Sequence, residues 1–241
     1  IHNRQPCLPV SAAPDDEAAA RRFKEYWNCA FPNPQHFACY PPNLARAIEP
    51  YQQPGDMALI SRPVDWFGLN HYSPNYIKFD TTNPLGFMFG GPPADSPRTA
   101  IGWPINPEAF RDTLLDIHRR FRLPIYVLEN GTAADDHLDN AGNVADQGRI
   151  DYLRAYTDAM REAMTKGADV RGYFVWSLLD NFEWGSGYTQ RFGIVYVDYA
   201  SQRRVPKSSA RWYAELIAST HEGAKALHSG DAEKARIPRH S

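Results

Sequence analysis

Glu129 follows four apolar residues, Ile125 to Leu128, in the stretch PIYVLENGTAADD, and Asn130-Gly131 comes directly after it. A strand that runs into a carboxylate and then a turn pair has two readings. The acid is a solvated turn residue, or it is presented for chemistry at a strand tip. A second stretch, GYFVWSLLDNFEWGSGYTQRFGIVYVDY, puts three aromatic rings and two acids, Asp180 and Glu183, within nine residues of Trp176. Rings stack on the apolar face of a sugar and acids accept from its hydroxyls, so the mixture suits a carbohydrate pocket. A buried aromatic cluster with both acids satisfied by backbone fits the same residues. A third stretch, VDWFGLN, reads as a buried strand with a polar far end at Asn70, His71 and Tyr72.

The elements that must position these groups alternate. Asp15 opens a helix as a cap, with Phe23 and Trp27 four apart on one face. A Pro-rich connection then leads to the strand at Val64 to Asn70. Ser73 to Ile105 reads as one long Pro- and Gly-rich loop, a candidate active-site rim. Asn106-Pro107-Glu108 starts a helix whose apolar face is Phe110, Leu114, Ile117 and Phe121, ended by Leu123-Pro124. The strand IYVL, a helix from about Gln147 to Lys166 capped by Gly167, the strand RGYFVW, a long loop and a last helix near Ser208 to Thr220 follow. Such alternation means a parallel sheet. Each of the three strands ends at its C-terminal tip in residues suited to chemistry, Asn70 and Tyr72, Glu129, and Trp176, and a β/α barrel gathers its site at such ends.

Composition removes other classes. The 241 residues carry a net charge of −2 with Lys and Arg scattered, which favours neither nucleic acid nor an anionic membrane as partner. Cys7, Cys29 and Cys39 are odd in number and share no ligand spacing with histidine, so neither a disulfide framework nor a zinc site is expected. No metal or organic cofactor is expected, and the expected setting is cytoplasmic. No apolar run is long enough for a helix to cross a bilayer. Asn130-Gly131-Thr132 matches a glycosylation acceptor, but a sugar there would obstruct Glu129. The chain reads as one domain over 1–241, with a small, charged tail at about 222–241 expected to fray.

FGLNHYS, GWPINPEAF, LPIYVLENG, DQGRIDYL, WSLLDNFEW and QRFGIVYVD occur in this order between about Asp16 and Tyr213. Together they resemble the C-terminal half of a family 1 glycoside hydrolase, the β-glucosidase and β-galactosidase family of (β/α)8 barrels. The resemblance implies that Glu129 is the catalytic nucleophile and that Tyr72 hydrogen-bonds and aims its carboxylate. It implies that Asn70 sits near the sugar 2-hydroxyl and the acid/base. Trp176 becomes the sugar platform, Glu183 accepts from the 4- and 6-hydroxyls and Trp184 donates to the 3-hydroxyl. Phe192 walls the 6-position, and Trp103 lines the aglycone site or anchors its own loop. Leu128 stands where Thr is common in the family. Glu183-Trp184 with Gln190 favours an unphosphorylated sugar, leaving glucoside against galactoside or fucoside open.

The family's proton donor belongs to an Asn-Glu-Pro motif on the fourth strand, and that tripeptide is absent from this sequence. The expected fold is therefore about strands five or six to eight of a (β/α)8 barrel. A second polypeptide, or a missing N-terminal half, is expected to supply strands one to four and the acid/base Glu. The expected reaction is hydrolysis of terminal β-glycosides with retention. A non-catalytic sugar-binding or scaffold subunit is the alternative if the partner lacks that Glu.

Overall fold

The computed structural model describes residues 1–220. The chain opens with two short strands, β1 (His2–Asn3) and β2 (Cys7–Pro9), and a long helix, α1 (Pro14–Cys29). Three short helices follow, α2 (Pro32–Phe37), α3 (Pro42–Ile48) and α4 (Asp56–Ile60). Then come β3 (Phe67–Asn70), β4 (Asn75–Lys78), β5 (Met88–Phe89), α5 (Pro107–Phe121), β6 (Ile125–Asn130), α6 (Gln147–Thr165) and β7 (Val170–Val175). A hairpin of β8 (Val195–Val197) and β9 (Arg204–Pro206) precedes a helix over 208–220, α7.

Four of the strands form one parallel sheet in the order β1-β3-β6-β7. Its helix-side face carries Phe67, Leu69, Ile125, Val127 and Val170, packed against Phe110, Leu114 and Ile117 of α5 and Tyr152, Leu153 and Tyr156 of α6. The α5 start explains itself. Asn106 Oδ1 accepts from Ala109 N at 2.9 Å, Pro107 occupies the first turn where its missing N–H costs nothing, and Arg122 ends the helix in the left-handed region at φ 56°. The apolar face read at Phe110, Leu114, Ile117 and Phe121 is the buried one.

Some expectations change. The α1 cap is Ala13, which makes no side-chain cap bond, and Asp15 lies inside the first turn beside Asp16 and Glu17, where acids favour the helix N-terminus. Phe23 and Trp27 do share a face, their rings stacked at 5.9 Å. The Pro-rich connection is largely helical, because prolines occupy the first turns of α2 and α3 and so break nothing. The strand expected over Val64 to Asn70 is β3 and starts at Phe67. Ser73 to Ile105 is not one loop. It contains β4 and β5, which join β2 in a second, three-stranded sheet that packs on α1. The expected tail at about 222–241 lies outside the described residues.

Among the described residues, β1 pairs in the main sheet with β3 alone and β7 with β6 alone. Large apolar side chains stay exposed on and around β7, with Phe174 at 52 %, Leu178 at 66 % and Phe182 at 58 %. A sheet that leaves an edge unpaired beside apolar side chains has surface suited to further chain.

Candidate active site

Strict alternation along β6 would put Glu129 on the same face as Ile125 and Val127, against the helices. The ladder is not strict. Val127 stands opposite Leu69 while Glu129, not Leu128, stands opposite Asn70, and the pairing with β7 slips by one residue over the same stretch. One extra residue therefore sits in β6 as a bulge, a device that re-aims a side chain. Leu128 lies on the inner face, where a Cβ added to Gly68 would meet it. Glu129 follows Leu128 to the inner face, and Asn130 turns to the helix side.

Both side chains are then held. Tyr72 Oη donates to Glu129 Oε2 at 2.8 Å. Burial first, then the Glu129 charge, pushes the Tyr72 phenol far above its ordinary range, which keeps it a donor. Tyr72 is itself fixed from behind. Its N–H and that of Ser73 donate to Gln5 Oε1 at 3.2 and 3.3 Å, and its carbonyl accepts from Tyr152 and Tyr156 at 3.3 and 3.1 Å. Asn130 is fully buried, donating to the His71 carbonyl at 2.7 Å and to Tyr152 at 3.1 Å while accepting from Tyr173 at 2.6 Å.

The other wall leaves the end of β7. Trp176 Nε1 donates to Glu183 Oε1 at 2.9 Å, and Asn181 Nδ2 donates to the same oxygen at 2.9 Å. Trp184 projects with 84 % of its surface exposed. Trp103 meets Tyr72 edge-on at 5.3 Å and Phe192 at 5.9 Å. Tyr72, Trp103, Glu129, Trp176, Glu183, Trp184 and Phe192 all line one cavity of about 230 Å³, together with Asn3, Gln5 and Trp27. A carboxylate aimed by a phenol, facing indole rings and a second carboxylate, can attack an electrophilic carbon while aromatic faces hold the rest of a sugar.

Residues 1–222 match the model of the family described as Glycosyl hydrolase family 1. The chain belongs to glycosyl hydrolase family 1. Among its relatives, β-glucosidase A of Thermotoga maritima is 41 % identical over 214 residues, covering 87 % of this chain and 48 % of that protein. A bifunctional β-D-glucosidase/β-D-fucosidase of Bifidobacterium breve is 43 % identical over 180 residues, covering 68 % of this chain and 39 % of that protein. The solved family 1 β-glucosidase from Thermotoga maritima superposes with a TM-score of 0.84 at 38 % identity, over 90 % of this chain and 49 % of that one. The chain spans about half the length of the curated relatives it matches. At this level of likeness the four-stranded sheet is part of a family 1 α/β barrel.

Of the eight site residues that the family resemblance implies, Asn70 alone stays out of the cavity lining. It is 8 % exposed, stands opposite Glu129 in the ladder, and its Oδ1 is buried with no partner among the described residues. Trp103 lines the cavity, and its backbone ties its own loop, its N–H donating to Thr99 Oγ1 at 3.1 Å. The rim expected from Ser73 to Ile105 is real in part. Ser73, Tyr76, Phe89, Pro92 and Pro104 border a neighbouring cavity of about 300 Å³ that shares Gln5, Trp27, Tyr72 and Trp103 with the first.

The two acids near Trp176 part company. Glu183 faces the cavity, whereas Asp180 is buried and accepts from Gly193 N at 3.0 Å and Val197 N at 3.3 Å. Asp180 belongs to a buried ionic network with Asp136, Asp146, Arg149, Arg191 and Lys207 that has no local signature in the sequence. Gln5, Trp27 and Asn3 were also missed, because only the tertiary fold brings them to the cavity.

Gly131 turns out to matter for a reason other than its turn. Its φ lies outside the left-handed region, but a Cβ there would fall 1.9 Å from the Trp176 carbonyl oxygen. The ends of β6 and β7 approach closely enough to exclude any side chain. Gly131→Ala is expected to destabilise the fold by about 1–3 kcal/mol, read as a lower denaturant midpoint at unchanged slope.

Proposed function

We propose that this chain carries the nucleophile side of a retaining β-glycosidase of β-glucosidase type. The rest of the barrel, on a second polypeptide or on a longer form of the same one, would supply strands one to four and the acid/base Glu. The observation that carries the reading is the Tyr72–Glu129 hydrogen bond at the mouth of a cavity walled by Trp176, Glu183 and Trp184. The relatives described above, β-glucosidases of which one is also a β-D-fucosidase, support the same substrate class.

In this reading Glu129 attacks the anomeric carbon of a terminal β-glycoside as the partner Glu protonates the departing oxygen. That breaks the glycosidic bond and leaves a glycosyl ester on Glu129. Water, deprotonated by the same partner Glu, then attacks the anomeric carbon, and the Glu129 carboxylate leaves. Two inversions give net retention. Such pairs stand about 5–5.5 Å apart, so the partner's carboxyl must reach the open side of this cavity. Trp176 is the platform under the sugar ring, Glu183 accepts from its 4- and 6-hydroxyls, and Trp184 donates to the 3-hydroxyl. Asn70 is directed at the 2-hydroxyl and the acid/base, Phe192 walls the 6-position, and Trp103 borders the aglycone. The sugar is unphosphorylated.

The test is hydrolysis of an aryl β-glucoside by the completed barrel, with proton NMR of the first-formed sugar. The β-anomer is expected. First appearance of the α-anomer overturns the retaining mechanism, and sugar binding with no hydrolysis favours a non-catalytic sugar-binding subunit. Tyr72→Phe removes the bond that aims Glu129 but not the carboxylate. Its kcat is expected to fall about 10- to 100-fold, the size of a hydrogen bond to a charged group of about 1.5–3 kcal/mol. Steady-state kinetics on the same glucoside decides it.

A further inference from the structure

Glu183 and Trp184 ride on an arm that leaves the sheet after Val175 and returns at β8. The neck of that arm is stitched by backbone hydrogen bonds: Ser177 N to Phe192 O at 3.1 Å, Ile194 N to Ser177 O at 2.9 Å, Val195 N to Leu178 O at 2.9 Å and Asp180 N to Val195 O at 3.1 Å. Gly193 lets the two sides close, because a Cβ there would lie 2.2 Å from Asp180 N. Past the neck the arm has little packing of its own. Phe182, Trp184 and Tyr188 are 58, 84 and 57 % exposed.

Asp180 closes the neck with its side chain as well. It accepts from Gly193 N and Val197 N, pairs with Arg191 across the neck, and accepts from Lys207 Nζ at 2.8 Å. Lys207 Nζ also donates to Asp136 Oδ2 at 2.6 Å, and Arg149 forks onto Asp136 at 3.1 and 2.7 Å. The arm is thereby tied to the first turn of α6 and to the residue preceding α7. Each member is an ion removed from water, and the three cations match the three anions, so the clasp holds only while it is complete.

We propose that Asp180, clasped by Arg191 and Lys207, is a positioning residue that sets where Glu183 and Trp184 stand over the cavity, and so sets discrimination at the sugar's 4- and 6-hydroxyls. The discrimination rests on the proposed glycosidase reading, while the clasp itself does not. Without the Asp180 charge the neck opens, the arm samples other positions, and Glu183 loses its fixed relation to Trp176. Glu129 and Tyr72, on β6 and after β3, keep their places.

The test compares Asp180→Asn with the double variant Asp180→Asn/Arg191→Gln, which removes one anion and one cation together and keeps the buried charges balanced. Both are made in the completed barrel. Hydrogen exchange followed by mass spectrometry is expected to show amides of 181–190 exchanging at least about tenfold faster, with residues 125–130 unchanged. Those strand amides report that the fold is intact. On catalysis, the ratio of kcat/KM for an aryl β-glucoside to that for the corresponding β-xyloside, which lacks the 6-hydroxyl, is expected to drop about tenfold. Unchanged exchange over 181–190 overturns the clasp. A parallel loss on both substrates overturns its role in discrimination. If the unsubstituted barrel hydrolyses neither substrate, the glycosidase reading has failed, and the exchange data still decide the clasp.

Discussion

Glu129→Gln in the completed barrel is expected to abolish turnover of an aryl β-glucoside, with kcat falling about 10⁴-fold or more. The amide keeps the length of the side chain and still offers an oxygen to Tyr72, so the fold and the cavity lined by Trp176 and Glu183 are retained. What is lost is the negative charge that makes the oxygen a nucleophile able to form the proposed glycosyl ester, and no other carboxylate on the described chain can replace it. Glu183 is engaged by Trp176 and Asn181, and Asp180 is buried in its clasp. Binding of the glucoside should persist, because the contacts to the sugar ring are untouched. A variant that turns over at the parent rate would remove Glu129 from the mechanism.

The second large effect is on stability. Arg149 is 1 % exposed, forks onto Asp136, pairs with Asp146, and donates to the Arg191 carbonyl at 2.8 Å. Arg149→Met fills the space but leaves Asp136 with only Lys207 and strips Asp146 of its cation. Breaking a buried pair from one side costs about 3–5 kcal/mol. For a domain of this size that is a fall in Tm of roughly 10 °C, measured by calorimetry where unfolding is reversible. Arg149→Lys is not expected to rescue it, since an ammonium cannot reproduce the two-pronged bond to Asp136. A Tm within about 2 °C of the parent, at most about 1 kcal/mol for such a domain, would mean that water reaches the network and screens it.

The sequence was most legible where the signal is local. The cap and face of α5 were readable because Asn106, Pro107 and the spacing of Phe110, Leu114 and Ile117 each act within one or two turns. Glu129, Tyr72 and Trp176 were readable as cavity residues because they lie at or just past strand ends, and Glu183 because a family pattern surrounds it. The helices α2 and α3 were not, since proline breaks a helix interior yet fits a first turn, and nothing local in a Pro-rich stretch says which place it takes. The pairing of β4 with β2 joins segments far apart in the chain, β5 adds only to β4, and strands this short carry no period to detect. The ionic network is harder still. Its members run from Asp136 to Lys207, and each alone looks like a surface charge.

The bulge in β6 has a consequence best put as parity. A strand assigns faces by odd and even count, and β6 carries one uncounted residue between Val127 and Asn130, so Glu129 reads the cavity only because the count is off by one. Deleting Leu128 would remove the bulge and leave the carboxylate facing the cavity, whereas straightening the strand with every residue kept would turn it toward the helix side, where Leu114 and Leu153 pack. The place of the carboxylate is written in the pairing of the strand as much as in the glutamate. A homologue that keeps every residue up to the glutamate but pairs the strand without the bulge would have the letter and lose the address.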